Sequence, residues 1–291
     1  MSQVAQEFQV KIEVEASALE TLEKLTELSR GALKNAAQLG AVWLQSKGKP
    51  QRLRRLKKQL KPGQQLYFYY NPEILSQTIV PALCLADEKD YSVWIKPRGM
   101  ASQGSKWGDA NSIGRHVELK LQRPTFVVHR LDKMTAGLII LSHRKSLVQE
   151  FTTKFINNDI QKIYWAVVEG IIETEQCAIE HTLDDKKALS LVRLLATDSE
   201  RNLSLVEVQI QTGRKHQIRR HMAAIEHPVL GDRLYGSENT DVDLQLVAQK
   251  LRFGCPVTDS GKVYQLPEQL GYELLDSSLL KAASKSDNLS G

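Results

Sequence analysis

Between Phe126 and Lys145 the chain reads FVVHRLDKMTAGLIILSHRK: an apolar triplet, a polar bend and a second apolar run. Phe126-Val127-Val128 and Leu138-Ile139-Ile140-Leu141 are short, continuous and largely β-branched, which predicts two buried strands. The bend from His129 to Gly137 then lies where core meets surface, and it carries His129, Arg130 and Asp132. For the turn alone, Asp132 capping nearby backbone N–H groups is a sufficient explanation.

The rest of the pattern divides at about residue 75. Phe8, Val10, Ile12 and Val14 alternate with polar residues, as in a half-buried strand. Ser17 and Glu20 form a capping box, and Leu19, Leu22, Leu25 and Leu28 continue at near-helical spacing. Ser29 is placed to cap a second helix through Leu39, which Gly40 ends. Val42 and Leu44 suggest a strand, and Lys61-Pro62-Gly63 turns into the aromatic strand Leu66-Tyr67-Phe68-Tyr69-Tyr70. Residues 72–80 read as a linker, so the expected domains are 1–75 and 76–275. In the second, Ser92 to Ile95 forms a strand ending in Lys96-Pro97-Arg98-Gly99-Met100, Leu147 to Asn157 a helix and Ile160 to Gly170 a strand containing Tyr164. Leu203 to Ile210 follows as a strand, and a helix from Arg214 buries Ile218, Met222 and Ile225. The Ser-rich, polar stretch 276–291 is expected to be a disordered tail.

The 291 residues are 42% hydrophobic and 25% charged, which predicts a soluble globular chain with an adequate core. No apolar run approaches the roughly 20 residues of a membrane span, and the N-terminus has no basic start followed by an apolar segment. Cys84, Cys177 and Cys255 are too scattered for a disulfide framework or a metal site, which suits the cytoplasm. The net charge of +5 is concentrated. Lys47, Lys49, Arg52, Arg54, Arg55, Lys57, Lys58 and Lys61 occur with no acid among them, and removing these eight takes the net charge from +5 to −3. Such a patch is the electrostatic footprint of a polyanion, nucleic acid above all. The competing explanation is a solvated helix face, since Leu53, Leu56 and Leu60 recur at helical spacing.

Several stretches carry a family resemblance. His129-Arg130-Leu131-Asp132, with Thr135 and Gly137 before an apolar strand, resembles the active-site motif of the RluA-type pseudouridine synthases, although Ala136 stands where that family usually has Ser. Lys162-Ile163-Tyr164 is similar to its Lys-x-Tyr position. Thr212-Gly213-Arg214-Lys215-His216-Gln217-Ile218-Arg219, continuing through Gly231-Asp232 to Tyr235-Gly236, is similar to its third motif. Lys96-Pro97-Arg98-Gly99 resembles the family's Asn-Lys-Pro-Ala-Gly strand end, with Ile95 and Arg98 as departures. More weakly, residues 8–72 resemble the small RNA-binding domain first described in ribosomal protein S four.

The resemblance implies an α+β fold. A catalytic domain would be built on a mixed, mainly antiparallel bifurcated sheet flanked by helices, beside a small N-terminal α/β RNA-binding domain. It implies isomerisation of uridine to pseudouridine with no cofactor and no metal. Asp132 would be the essential carboxylate, acting on the base, on the ribose or as a proton acceptor. Tyr164 would stack on the target base, Arg219 would keep Asp132 charged, and Arg130 would fill the gap left by the extruded nucleotide or contact its phosphate. Ile218, His129 and Arg214 complete the substrate-binding set, while Lys47, Lys49, Arg52, Arg54, Arg55, Lys57 and Lys58 would contact RNA. Ribosomal RNA is favoured over transfer RNA because folded targets gain from a second contact, and the chain is expected to be a monomer.

Two other classes bear comparison. A non-catalytic RNA-binding or ribosome assembly factor would not need Asp132, Tyr164 and Arg219 together. A metal-dependent hydrolase could recruit His216, His221 and His227. However, His216 and His221 are one residue too far apart for the i, i+4 pair of ligands on one helical face.

Overall fold

The computed structural model describes residues 4–238, 240–267, 270, 274 and 275. They form two compact units, Met1–Ile79 with Ala101–Gln122, and Val80–Met100 with Arg123–Gly291. The expected tail, 276–291, lies outside the described residues.

The first unit contains β1 (Gln6–Lys11), β2 (Ala16–Ser17), α1 (Ala18–Leu25), α2 (Arg30–Gln38), β3 (Val42–Gln45), β4 (Gln51–Arg52), β5 (Gln59–Leu60), β6 (Gln65–Tyr70) and α3 (Pro72–Ser76). Ser17 accepts the Glu20 N–H while the Glu20 carboxylate accepts the Ser17 N–H, so the capping box forms as the spacing requires. Ser29 caps α2, and Gly40 follows it with φ +88°. A four-stranded antiparallel sheet, ordered β1-β6-β3-β4, covers the two helices. Their shared core includes Leu22, Leu33, Ala36, Val42, Leu66 and Phe68.

The basic run is not a helix. Leu53, Leu56 and Leu60 are buried, but in a turn-rich connection that carries the short strands β4 and β5. The linker, likewise, contains a helical turn, α3, which Asn71 caps and Pro72 starts.

Residues 101–122, expected within the second domain, group with the first unit. Asp109 is the anchor. Its carboxylate lies 3.0 Å from Arg52 Nε and 2.6 Å from Arg54 Nη2, and its N–H donates to the Leu39 carbonyl. Trp43 Nε1 donates to the Lys106 carbonyl, and Asn111 Nδ2 donates to the carbonyls of Ile74 and Gln77. The stretch ends in α4 (Ile113–Leu121), capped by Ser112.

The second unit is organised by one sheet of ten strands. These are β7 (Leu83–Asp87), β8 (Tyr91–Lys96), β9 (Phe126–Val127), β10 (Ala136–Ser142), β11 (Gln161–Glu169), β12 (Gln176–Leu183), β13 (Lys186–Asp198), β14 (Leu203–Ile210), β15 (Leu246–Gly254) and β16 (Gly261–Gln265). Their order is β12-β13-β14-β11-β15-β10-β8-β7. All pairings are antiparallel except β10 with β15, which touch in parallel only at Ala136↔Val247 and Gly137↔Ala248. Beyond that point the sheet forks, β15 continuing with β16 and β10 with β9. The fold is α+β on a mixed, mainly antiparallel, branched sheet. Helix α5 (Lys145–Ile156) contributes Leu147 and Phe151 to a core with Tyr91, Leu138, Ile140, Val167 and Phe253. Helix α6 (Gln217–Ala224) completes the unit.

Gly137 explains why the fork lies where it does. Its φ is +105°, and a Cβ there would come within 2.7 Å of the Ala248 backbone nitrogen and closer still to its carbonyl oxygen. Only glycine lets two strands approach at that point. Its neighbour Ala136 is fully buried in the core, where a methyl group fits without needing a polar partner.

Candidate active site

Asp132 sits in the bend between β9 and β10. Pairing of Val127 with Leu141 and of Phe126 with Ser142 fixes the two arms of that bend. Within it, the Thr135 N–H donates to the Asp132 carbonyl. The Lys133 carbonyl accepts from the Gly99 N–H and from Lys96 Nζ, at 3.0 and 3.1 Å. Lys96 is fully buried, and its other donors reach the carbonyls of Pro97 and Met100 at 3.0 and 2.8 Å. Burial brings its ammonium down to about 7, opposed by the negative charge of Asp132. The residue that the sequence offers only as a strand end therefore ties β8 to the loop that presents the carboxylate.

The Asp132 side chain keeps 31% of its exposure, and a guanidinium and an imidazole approach it. Arg219 Nη1 lies 3.9 Å from one carboxylate oxygen and His216 Nε2 3.8 Å from the other. Arg219 owes its direction to Asp232, a motif residue to which the sequence pattern assigns no role. The Asp232 carboxylate takes Arg219 Nε and Nη2 at 2.7 Å each and also accepts the N–H groups of Leu234 and Tyr235. Burial alone would raise the Asp232 carboxyl, but these donors outweigh it and hold the group below the ordinary carboxylate range. Tyr235, also unassigned from the sequence, places its ring 5.1 Å from the Arg219 guanidinium and its hydroxyl 3.0 Å from His216 Nδ1.

Helix α6 begins later than its apolar spacing suggests. His216, with φ +54°, precedes it as a left-handed cap, so Arg214 and Lys215 belong to the loop and not to the first turn. Gln217 fastens that loop. Its Oε1 accepts from the Thr212 hydroxyl and the Arg214 N–H, and its Nε2 donates to the Leu189 carbonyl and Ser190 Oγ. Ile218 and Met222 are buried, which turns Arg219 toward Asp132. Arg214 Nε donates to the Lys187 carbonyl.

Tyr164 reaches the site through strand register. Gly137 of β10 pairs with Ala248 of β15, which pairs with Tyr164 of β11 beside a bulge. The phenol is 8% exposed, and burial, followed by the charge of Asp132, pushes its ionisation up. Arg130 is exposed two residues before Asp132.

His129 has a different surrounding from the one expected of a substrate contact. Its Nε2 accepts the Ile140 N–H at 2.9 Å, and its ring lies 4.4 Å from that of Phe155. Only a ring with its proton on Nδ1 can accept there, and burial, with Lys162 nearby, pushes its pKa down to about 3. His129 therefore locks the bend onto β10 as a neutral ring. Arg52 and Arg54, expected to meet RNA, are turned toward Asp109 and the carbonyls of Gly40, Ser105 and Gln38. Lys47, Lys49, Arg55, Lys57 and Lys58 are exposed. The three histidines diverge. His221 bonds Ser190 Oγ, and His227 bonds the Glu169 carbonyl, while His216 alone faces Asp132.

A family model described as RNA pseudouridylate synthase matches residues 90–224. An "Uncharacterized RNA pseudouridine synthase" of Aquifex aeolicus is 28% identical over 278 residues, covering 83% of this chain and 86% of its own length. A "tRNA pseudouridine synthase C" of Vibrio cholerae is 32% identical over 216 residues, 59% of this chain and 85% of that one. A "Ribosomal large subunit pseudouridine synthase D" of Borreliella burgdorferi is 31% identical over 190 residues, 56% of this chain and 57% of that one. Among solved structures, "Human RNA Pseudouridylate Synthase Domain Containing 1" shares the fold, with a TM-score of 0.57 at 20% identity, over 66% of this chain and 86% of that chain.

Proposed function

The chain belongs to the RNA pseudouridine synthase family, and on that premise we propose that Asp132 is the carboxylate through which it isomerises uridine in RNA. In that reaction the bond from N1 to C1′ breaks, C1′ joins C5, the C5 hydrogen leaves as a proton and N1 gains one. Atoms and electrons balance without an oxidant, a group donor or a cofactor. The observation that carries the reading is the convergence of Asp132, Arg219 and Tyr164, drawn from a β-bend, a helix and a strand far apart in the chain.

Each group has a physical reason to be there. A nucleotide entering over Asp132 strips the carboxylate of water, and the guanidinium at 3.9 Å gives it a charged partner in place of that water. Extruding a base costs a few kcal/mol, which stacking on Tyr164 and insertion of the exposed Arg130 offset. In this reading Ile218 and Arg214 complete the substrate contacts, one apolar and one cationic. His129 acts indirectly, by holding the bend.

The substrate we favour is ribosomal RNA, with the first unit as an RNA-binding domain whose exposed Lys47, Lys49, Arg55, Lys57 and Lys58 add non-specific affinity. Relatives named for ribosomal and for transfer RNA both match, so transcripts of each are assayed in parallel. Among the described residues no helix is long and apolar enough to cross a membrane.

The test uses RNA carrying tritium at uridine C5, which the reaction releases to water. Asp132→Asn should fold and bind RNA like the parent and release no tritium. Release at the parental rate would remove Asp132 from the mechanism.

A further inference from the structure

The aromatic strand β6 has a second face that the catalytic site does not use. Leu66 and Phe68 point into the core, so Tyr67 and Tyr69 occupy the opposite, solvent side of the sheet. Strand register places Trp43 beside Tyr67, and Arg52 beside Trp43. The Tyr67 and Tyr69 rings stand 6.4 Å apart and nearly parallel, at 9°, and Trp107 meets Tyr69 edge-on at 6.0 Å. All three residues are half-buried. Trp43 differs from them, because Arg52 lies over its ring and its N–H is bonded to Lys106.

Cations bound this face at two places. Lys106 Nζ lies 5.2 Å from the Tyr69 ring centre and 5.0 Å from that of Trp107, ion-paired with Glu7. At the other end of the sheet, Lys11 pairs with Gln65, which also pairs with Gln45. The adjoining turns carry Lys47, Lys49 and Lys61, and bonds from Gln64 to Ser46 and from Gly63 to Ile12 hold those turns together. These four lysines are exposed.

Anchoring of residues 101–122 explains Trp43 and Asp109 and sets Trp107 against the edge of Tyr69, and the Tyr67 hydroxyl bonds Gln45 and Gln65, but both tyrosines stay only half-buried, with part of each side chain open to solvent. Parallel rings beside cations of one sign match a different chemistry. Every base has a π-face to stack, and its phosphates seek lysine. We propose that the solvent face of the first unit's sheet binds an unpaired stretch of the RNA substrate, with bases stacked on Tyr67, Tyr69 and Trp107 and phosphates held by Lys11, Lys47, Lys49, Lys61 and Lys106. The proposal rests on the reading that the substrate is RNA. It gives the first unit a base-stacking role in addition to its charge.

The experiment measures binding of the full chain to a twelve-nucleotide oligouridine and to an abasic oligomer of equal length, by anisotropy over a salt series. The wild type should prefer the oligouridine. Tyr67→Leu and Tyr69→Leu should each weaken it by roughly 5- to 100-fold with the salt slope unchanged, because every lysine still meets its phosphate. Tyr67→Phe and Tyr69→Phe should keep the affinity, since they keep the rings. Lys47→Ala with Lys49→Ala should instead lower the slope, by about 0.7 for each phosphate no longer neutralised.

Equal affinity of the wild type for the two oligomers would overturn the proposal, and that comparison needs no substitution to fold. Leucine variants binding oligouridine like the wild type would overturn it too, and would leave the face to a protein partner. Tritium release by the same preparations separates the two readings. An inactive wild type refutes the catalytic assignment, whereas an active wild type whose leucine variants bind unchanged refutes only the platform.

Discussion

Replacing Asp232 by Asn removes the charge that aims Arg219 while keeping the side chain's outline. The Asp232 carboxylate is fully buried and Arg219 retains 11% of its side-chain exposure, so water cannot replace the carboxylate as Arg219's partner. An Asn amide oxygen can still accept from the Leu234 and Tyr235 N–H groups, but its NH2 then opposes Arg219 Nε, donor against donor. A hydrogen bond to a charged group contributes about 1.5–3 kcal/mol, and stranding one member of a buried ion pair costs about 3–5 kcal/mol. Asp132, 3.9 Å from the guanidinium, offsets part of that. A destabilisation of about 3 kcal/mol is expected. With a urea dependence of roughly 2–3 kcal/mol per molar, the unfolding midpoint falls by about 1 M.

Turnover should fall with it, on the order of 100-fold for a guanidinium displaced by about an ångström. The pH dependence has a definite sign. The Asp232 carboxyl lies below its unfolded value of 3.8, so its contribution is complete above that pH and is lost as pH falls through the folded value. The gap between parent and variant should therefore close in acid. Arg219→Leu combined with Asp232→Leu should be less destabilised than the sum of the single changes, because no charge is left unpaired. A midpoint within 0.3 M (roughly 1 kcal/mol) of the parent, or a double variant worse than the sum, would refute this account of the pair.

Two further expectations concern the bend itself. Gly137→Ala would force β10 away from Ala248, at a cost of about 3 kcal/mol or more by urea unfolding, and a cost below about 0.5 kcal/mol would show that the fork can relax. The neutral His129 predicts an acid weakness. Its folded pKa of about 3 lies below the unfolded 6.5, so the unfolded chain takes up a proton that the native state refuses. Stability should therefore fall as pH drops from 6.5 toward 3, by up to about 1.4 kcal/mol per unit. His129→Gln should flatten that slope between pH 6 and 4; an identical slope would reject the assignment.

Local signals were readable where the partners lie a few residues apart. Ser17 with Glu20, Ser29 before α2 and the apolar runs flanking Asp132 give elements close to those observed. The same signals misled where a distant residue decides the outcome. Leucines spaced as in a helix, at 53, 56 and 60, are buried by a turn-rich connection, and α6 starts only after His216, which sits in the left-handed region. Nothing near Arg52 and Arg54 announces Asp109, whose carboxylate turns two cations of the basic patch inward.

The sequence alone specified a β-bend that presents a carboxylate between two strands, because apolar runs flank a polar turn, although only the second strand, β10, is fully buried. Only the tertiary structure decided what surrounds Asp132. Arg219 is aimed by Asp232, the loop is tied through Lys96 and Lys133, and Tyr164 arrives through the register of β10, β15 and β11. Arg219 and Asp232 share one stretch of chain, but nothing in its pattern shows that they pair, and the other contacts join residues brought together only by strand order.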